Sequence, residues 1–98
     1  DWLLQRSDGV LVLVVRIILQ TDDGAFIFMA YRGLRHGPAD VMARVSRGEP
    51  VEPGSYYFRI APIFGTAAPA YAWLNQLMAV GTGQRDSTGP VYQVHEVL

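Results

Sequence analysis

The 98 residues carry a formal net charge of −1, half of them are hydrophobic, and there is no cysteine. That balance excludes a disulfide scaffold and a cysteine-ligated zinc site, argues against a nucleic-acid binder, and is too apolar for a disordered chain. All eight basic residues are arginine. The length suits one domain, 1–98. No window offers about 18 uninterrupted apolar residues, so no membrane span is expected and the cytoplasm is the default compartment.

The chain begins with a short strand, Asp1–Arg6, followed by the loop Ser7-Asp8-Gly9. The stretch Val10–Gly33 then organises everything around it. Val10–Gln20 is nearly all Val, Leu and Ile, which suit a pleated surface better than a helix. Ala25–Arg32 is again apolar. Between them, Asp22-Asp23-Gly24 reads as a three-residue hairpin loop with glycine in the left-handed region, which sets Thr21 against Ala25. Arg16 then lies opposite Ala30, Val14 opposite Arg32 and Ile18 opposite Phe28. Alternate residues point to opposite faces. One face is almost pure hydrocarbon, from Leu11, Leu13, Val15, Ile17, Leu19, Ile27, Met29 and Tyr31. The other is apolar too, with Arg16 and Arg32 set into it. A sheet wetted on one side should alternate apolar and polar, so both faces are expected to be covered.

Gly33–Pro38 is read as a break. A helix of about two and a half turns follows at Pro38–Arg47, with Pro38 in the first turn, Asp40 near the positive end of the dipole and Gly48 closing it. Glu49–Gly54 is a stiff loop. Ser55–Phe64 is a third long strand, with Pro62 marking an edge or a bulge. Gly65–Ala70 is a loop, Tyr71–Gln84 starts ambiguously and ends as a strand, Arg85–Pro90 is a turn, and Val91–Leu98 is a closing strand. Paired hairpin turns and period-2 strands predict a mainly β fold: an antiparallel meander curling into a partial or complete β-barrel with one short helix.

Arg16, Arg32 and Arg59 each interrupt an apolar strand. A buried guanidinium needs a partner, and its fork suits a carboxylate or phosphate; arginines of this kind also snorkel to a rim. Glu96 is the main strand acid available to pair with them. Candidate ligand-binding residues are therefore Arg16, Arg32 and Arg59, with Phe28, Tyr57, Trp73 and Asn75 as the aromatic and polar lining. Arg16 and Arg59 are expected to approach one cavity lined by Phe28, Tyr57 and Trp73. Tyr57, His36 and His95 are the candidate proton donors. Two histidines without a nearby acidic pair make no metal site, and no cofactor motif is present.

The segments DWLLQRSDGV, TDDGAFIF, RGLRHGP…EPVEPGSYYFR and PAYAWLN…VGTG, in this order, resemble the bacterial and fungal family called domain of unknown function 3237, also known as uncharacterised protein family 0311. The resemblance covers essentially the whole chain. It implies a single antiparallel β-barrel of about 150 residues, an ordinary domain size, of which this chain is the C-terminal two-thirds, lacking an N-terminal part with one or more strands. It attaches no activity. Arg16, Arg32, Tyr57, Arg59, Tyr71, Trp73 and Asn75 match the family pattern, whereas Val14, Ala30, Ile63, Gly65 and Ala70 stand where relatives often carry polar residues. The expectation is a barrel that binds a small, mostly apolar molecule with a carboxylate or carbonyl group. The alternatives are a barrel isomerase or cyclase, and a structural subunit without a ligand. A homodimer or higher oligomer is expected to cover the exposed edges.

Overall fold

A computed structural model describes residues 2–86 and 88–98. Six strands pair in chain order as one antiparallel meander: β1 (Trp2–Gln5), β2 (Leu11–Gln20), β3 (Phe26–His36), β4 (Tyr57–Gly65), β5 (Met78–Asp86) and β6 (Gly89–Val97). One helix, α1 (Ala39–Ser46), lies between β3 and β4. Short 3-10 segments occupy Pro53–Ser55 and Pro69–Gln76. Among the described residues β1 and β6 do not pair with each other, so the sheet curls without closing.

The two hairpin turns have the expected geometry. Thr21 N–H donates to Ala25 O at 2.8 Å and Arg6 N–H to Val10 O at 2.8 Å, with Gly24 and Gly9 both at φ +89°. The β2–β3 register follows from the turn: Arg16 faces Ala30, Val14 faces Arg32 and Ile18 faces Phe28. Asp23 locks this turn. It accepts from the Thr21 hydroxyl, and from the Tyr71 hydroxyl at 3.1 Å. These bonds, Thr21's first, hold its carboxyl below the usual aspartate value. A depressed carboxyl contributes stability that is present above the unfolded-state value, about pH 4, and is lost as pH falls through the folded one. Amide protection of Gly24 and Ala25 is therefore expected to drop between about pH 5 and pH 2. Asp23→Asn should remove the pH dependence. Protection that stays flat in the wild type would show that Asp23 does not hold the turn.

Most element ends move by one or two residues from the sequence reading, and the differences with a physical reason are these. β3 does not break at Gly33 but runs on to His36. The glycine is there for close packing: a Cβ at Gly33 would sit 2.8 Å from Ile60 Cγ2 and 2.9 Å from Arg59 O. Ser55 belongs to a 3-10 turn, and β4 starts at Tyr57. The expected turn at Arg85–Pro90 is shorter, because β5 continues to Asp86 and β6 starts at Gly89; Ser87, like Asp1, is outside the described residues. Pro62 is where a proline is tolerated: β5 pairs with β4 at Arg59 and Ile60, so further along β4 one side of the ladder has ended.

Helix α1 starts after Pro38 and ends in a Schellman motif. Gly48 at φ +76° donates to Val45 O at 3.0 Å, and Glu49 N–H to Arg44 O at 3.0 Å. Its apolar stripe packs Val45 into Leu13, Met29, Tyr31, Tyr56, Phe58 and Ile60, with Val41 and Met42 beside it. Helices this short persist through such packing and not through propensity.

Burial alternates along β3 and along β4 as far as Ile63, while chemistry does not. Ile27, Met29, Tyr31, Phe58 and Ile60 are buried on the helix-covered face. On the other face Ile18 is 70% exposed, Phe26 62% and Ile63 52%. The second cover expected from the sequence is not supplied by the chain's own elements, and this open face carries the three strand arginines.

Candidate ligand-binding face

Register places the arginines in a staircase. Arg16 on β2 is level with Ala30 of β3, Arg32 is two residues further on and level with Ala61 of β4, and Arg59 is level with Leu34, two residues further again. All three stand on the open face, one per strand, each diagonal to the next. Diagonal neighbours are about 7–8 Å apart, within reach of long side chains. Arg16 faces Ala30 on β3 and Arg32 faces Ala61 on β4, with Val14 on its β2 side, and the two alanines leave space that larger side chains would fill.

That space forms a shallow trough along the staircase. One concavity of about 360 Å³ is lined by Val14, Arg16, Ala30, Arg32, Ala61 and Ile63. A second of about 360 Å³ is lined by Val12, Arg32, Leu34, Tyr57, Arg59 and Ala61. They share Arg32 and Ala61. A third of about 360 Å³ continues past Arg59 to Thr82, Gln84, Val91 and Gln93. The walls are apolar with a guanidinium at each step, and the far end is amide-lined. Val14, Ala30 and Ile63, three of the positions that depart from the family pattern, all line the concavity around Arg16.

The Arg59 guanidinium stands over the Tyr57 ring, 4.9 Å from its centre, and donates to Phe58 O at 2.9 Å. His36 stacks on Tyr57, with ring centres 4.9 Å apart at 23°. A imidazole, a phenol and a guanidinium thus form one column at the trough's edge. His95 is on the same face but two strands away from β4, level with Val80. Among the described residues no carboxylate is within ion-pair distance of Arg32 or Arg59. Glu96, expected as their partner, is opposite the buried Ala79 and so belongs to the other face.

Other expected lining residues are elsewhere. Phe28 shares the open face but sits level with Ile18 and Gly65, beyond the three concavities. Trp73 and Asn75 lie in the 3-10 segment Pro69–Gln76. Trp73 is exposed, and the Asn75 amide is spent on the loop, accepting from Thr66 N–H at 2.8 Å and donating to Thr66 O at 2.9 Å. The expected single cavity holding Arg16, Arg59, Phe28, Tyr57 and Trp73 is therefore a trough in which Arg32 links Arg16 to Arg59 and Tyr57. Thr82, Gln84 and Gln93 were missed because the connection from β4 to β5 has no turn signal that sets their register.

The family "Protein of unknown function (DUF3237)" matches residues 1–97. The chain belongs to this family. It is 38% identical over all 98 residues to the UPF0311 protein RPA1785 of Rhodopseudomonas palustris, and 33% identical to the UPF0311 protein blr7842 of Bradyrhizobium diazoefficiens. In both cases it spans 64% of the relative's length. The crystal structure of the Rhodopseudomonas palustris protein, described as a conserved protein of unknown function, superposes with a TM-score of 0.89 over 98% of this chain and 63% of that one. A β-barrel-like protein from Acinetobacter baumannii, 38% identical, superposes at 0.77 over 98% of this chain and 61% of that one. The DUF3237 fold here is thus a β-barrel-like antiparallel sheet with one helix. No helix among the described residues is long and apolar enough to cross a membrane.

Proposed function

We propose that the trough on the open face binds a small, mostly apolar molecule through a carboxylate or carbonyl group. The observation that carries this reading is the staircase itself: three guanidiniums on successive strands, over a floor of Ala30, Ala61 and the Gly33 backbone, with no carboxylate among the described residues paired to Arg32 or Arg59. Arg32 and Arg59 would hold the polar end by the two-pronged hydrogen bonding that a guanidinium gives a carboxylate. Val12, Val14, Leu34 and Ile63 would hold the body.

The His36–Tyr57–Arg59 column supports a second reading, in which the same trough positions a reactive substrate and Tyr57 or His36 delivers a proton. His95 stands apart from that column. The exposed apolar rows also suit a second copy of the chain, which would roof the trough.

Calorimetric titration with octanoate, octanamide and octanol tests the first reading. Octanoate is expected to bind about tenfold or more tightly than octanol, a difference of about 1.4 kcal/mol. Equal, weak binding of all three would remove the arginines from the account.

A further inference from the structure

On the helix-covered face, Arg35 is the one charged side chain that is buried among the described residues, with 7% of its surface exposed. It stands on β3 between Leu11 of β2 and Phe58 of β4. Its guanidinium carbon is 5.5 Å from the centre of the Phe58 ring, and its Nε has no hydrogen-bond partner. A buried cation without a counter-charge is costly. The ion pairs among the described residues join Arg6 to Asp8, and Arg44 and Arg47 to Glu49; none includes Arg35 or Arg85.

A second cation stands nearby on this face: Phe58 lies between Arg35 and Gly83 of β5, and Arg85 is two residues beyond Gly83 on the same strand. Burial, and then repulsion from Arg85, hold the Arg35 pKa below its ordinary value. Around the two arginines stand phenols. Tyr56 accepts the Arg85 backbone N–H at 2.9 Å, and Tyr92 is hydrogen-bonded to Tyr31 at 2.7 Å between hydroxyl oxygens. Burial raises the Tyr92 pKa, so this ring stays neutral and supplies no negative charge. Arg85 lines a crevice of about 260 Å³ together with Gly48, Val51, Pro53 and Asp86. The Asp86 carboxylate accepts the backbone N–H and the hydroxyl of Thr88, both on Oδ1.

We propose that Arg35 and Arg85, with the Tyr56 and Tyr92 hydroxyls beside them, form a site for a small oxyanion, carboxylate or phosphate, reached through the crevice that Arg85 lines. The anion supplies the charge that the cluster lacks, and an arginine fork matches its oxygens. Arg35 and Arg85 stand on the other face of the sheet from Arg16, Arg32 and Arg59, and the crevice meets the far end of the trough only at Pro53 and Gln84.

Thermal unfolding of the intact chain at pH 7, in inorganic phosphate, sodium acetate or sodium chloride at matched ionic strength, provides the test. Excluded salts stabilise proteins generally, so the readout is the difference between wild type and variants. The wild-type midpoint is expected to rise saturably in phosphate or acetate beyond its value in chloride. Arg35→Met should lose that rise while being at least as stable as wild type in chloride, because the unpaired buried charge is gone. Arg85→Gln, at an exposed position, should keep the fold and need about tenfold more anion, about 1.4 kcal/mol of binding; it decides the matter alone if Arg35→Met does not fold. A rise in phosphate only assigns a phosphoryl group, and a rise in acetate as well assigns a carboxylate. No wild-type rise, or the same rise in both variants, overturns the proposal. Octanoate binding in the trough should be unchanged in Arg35→Met, so the two sites fail or stand separately.

Discussion

Phe58→Ala is expected to destabilise the fold by about 3–5 kcal/mol, the usual cost of emptying a fully buried aromatic site. Phe58 is 1% exposed and central to the helix-covered core. It makes an edge contact with Tyr92, ring centres 5.5 Å apart, and lies under the Arg35 guanidinium. A Cβ at Gly83 would come within 2.9 Å of its ring, so β5 is fitted closely over it. The surrounding backbone therefore cannot collapse far into the cavity, which places the cost high in the range. Ile63→Ala, five residues along β4 on the open face, should cost within about 0.5 kcal/mol, as exposed sites do. Urea denaturation measures both, through the midpoint at constant slope. Similar losses for the two would mean that the open face is covered in solution.

Arg59→Ala is expected to weaken octanoate binding by about 2–5 kcal/mol, much of it from the carboxylate left without its partner. Folding should be unaffected, since the side chain lies on the exposed face. Arg59→Lys should recover only part of the affinity. Lysine keeps the charge but loses the planar fork and the stacking on Tyr57. Arg47→Ala is the control: Arg47 follows α1 and pairs with Glu49. Equal affinity in wild type and Arg59→Ala would place the ligand elsewhere.

The hairpin Val10–Arg32 was legible because its register is set locally. One glycine at positive φ fixes the Thr21–Ala25 pair, and every later pairing, including that of Arg16 and Arg32 on a common face, follows by alternation. Arg59 has no such local signal: its place on the same face comes from the register of β4 against β3, where it is level with Leu34. Non-local packing was not legible. Gly33 looked like a strand breaker, yet it lets Ile60 approach the β3 backbone. The extension of β3 it permits carries Arg35 into the core and His36 onto Tyr57. Arg35 was overlooked for the same reason: within RGLRHGP it reads as one polar residue of a loop, and only its pairing with Leu11 and Phe58 reveals a buried cation. Trp73 and Asn75 were assigned to the ligand by residue type. The hydrogen bonds between Asn75 and Thr66 close a span of nine positions, loop and 3-10 segment together, that no periodicity describes.

A crystal structure of the intact chain grown with saturating octanoate tests the central claim most directly. The account predicts the carboxylate within about 2.7–3.2 Å of guanidinium nitrogens of Arg32 or Arg59, with the alkyl tail along Val12, Leu34, Ala61 and Ile63. A bound carboxylate only on the helix-covered face, or a trough left unoccupied by octanoate under those conditions, would contradict it.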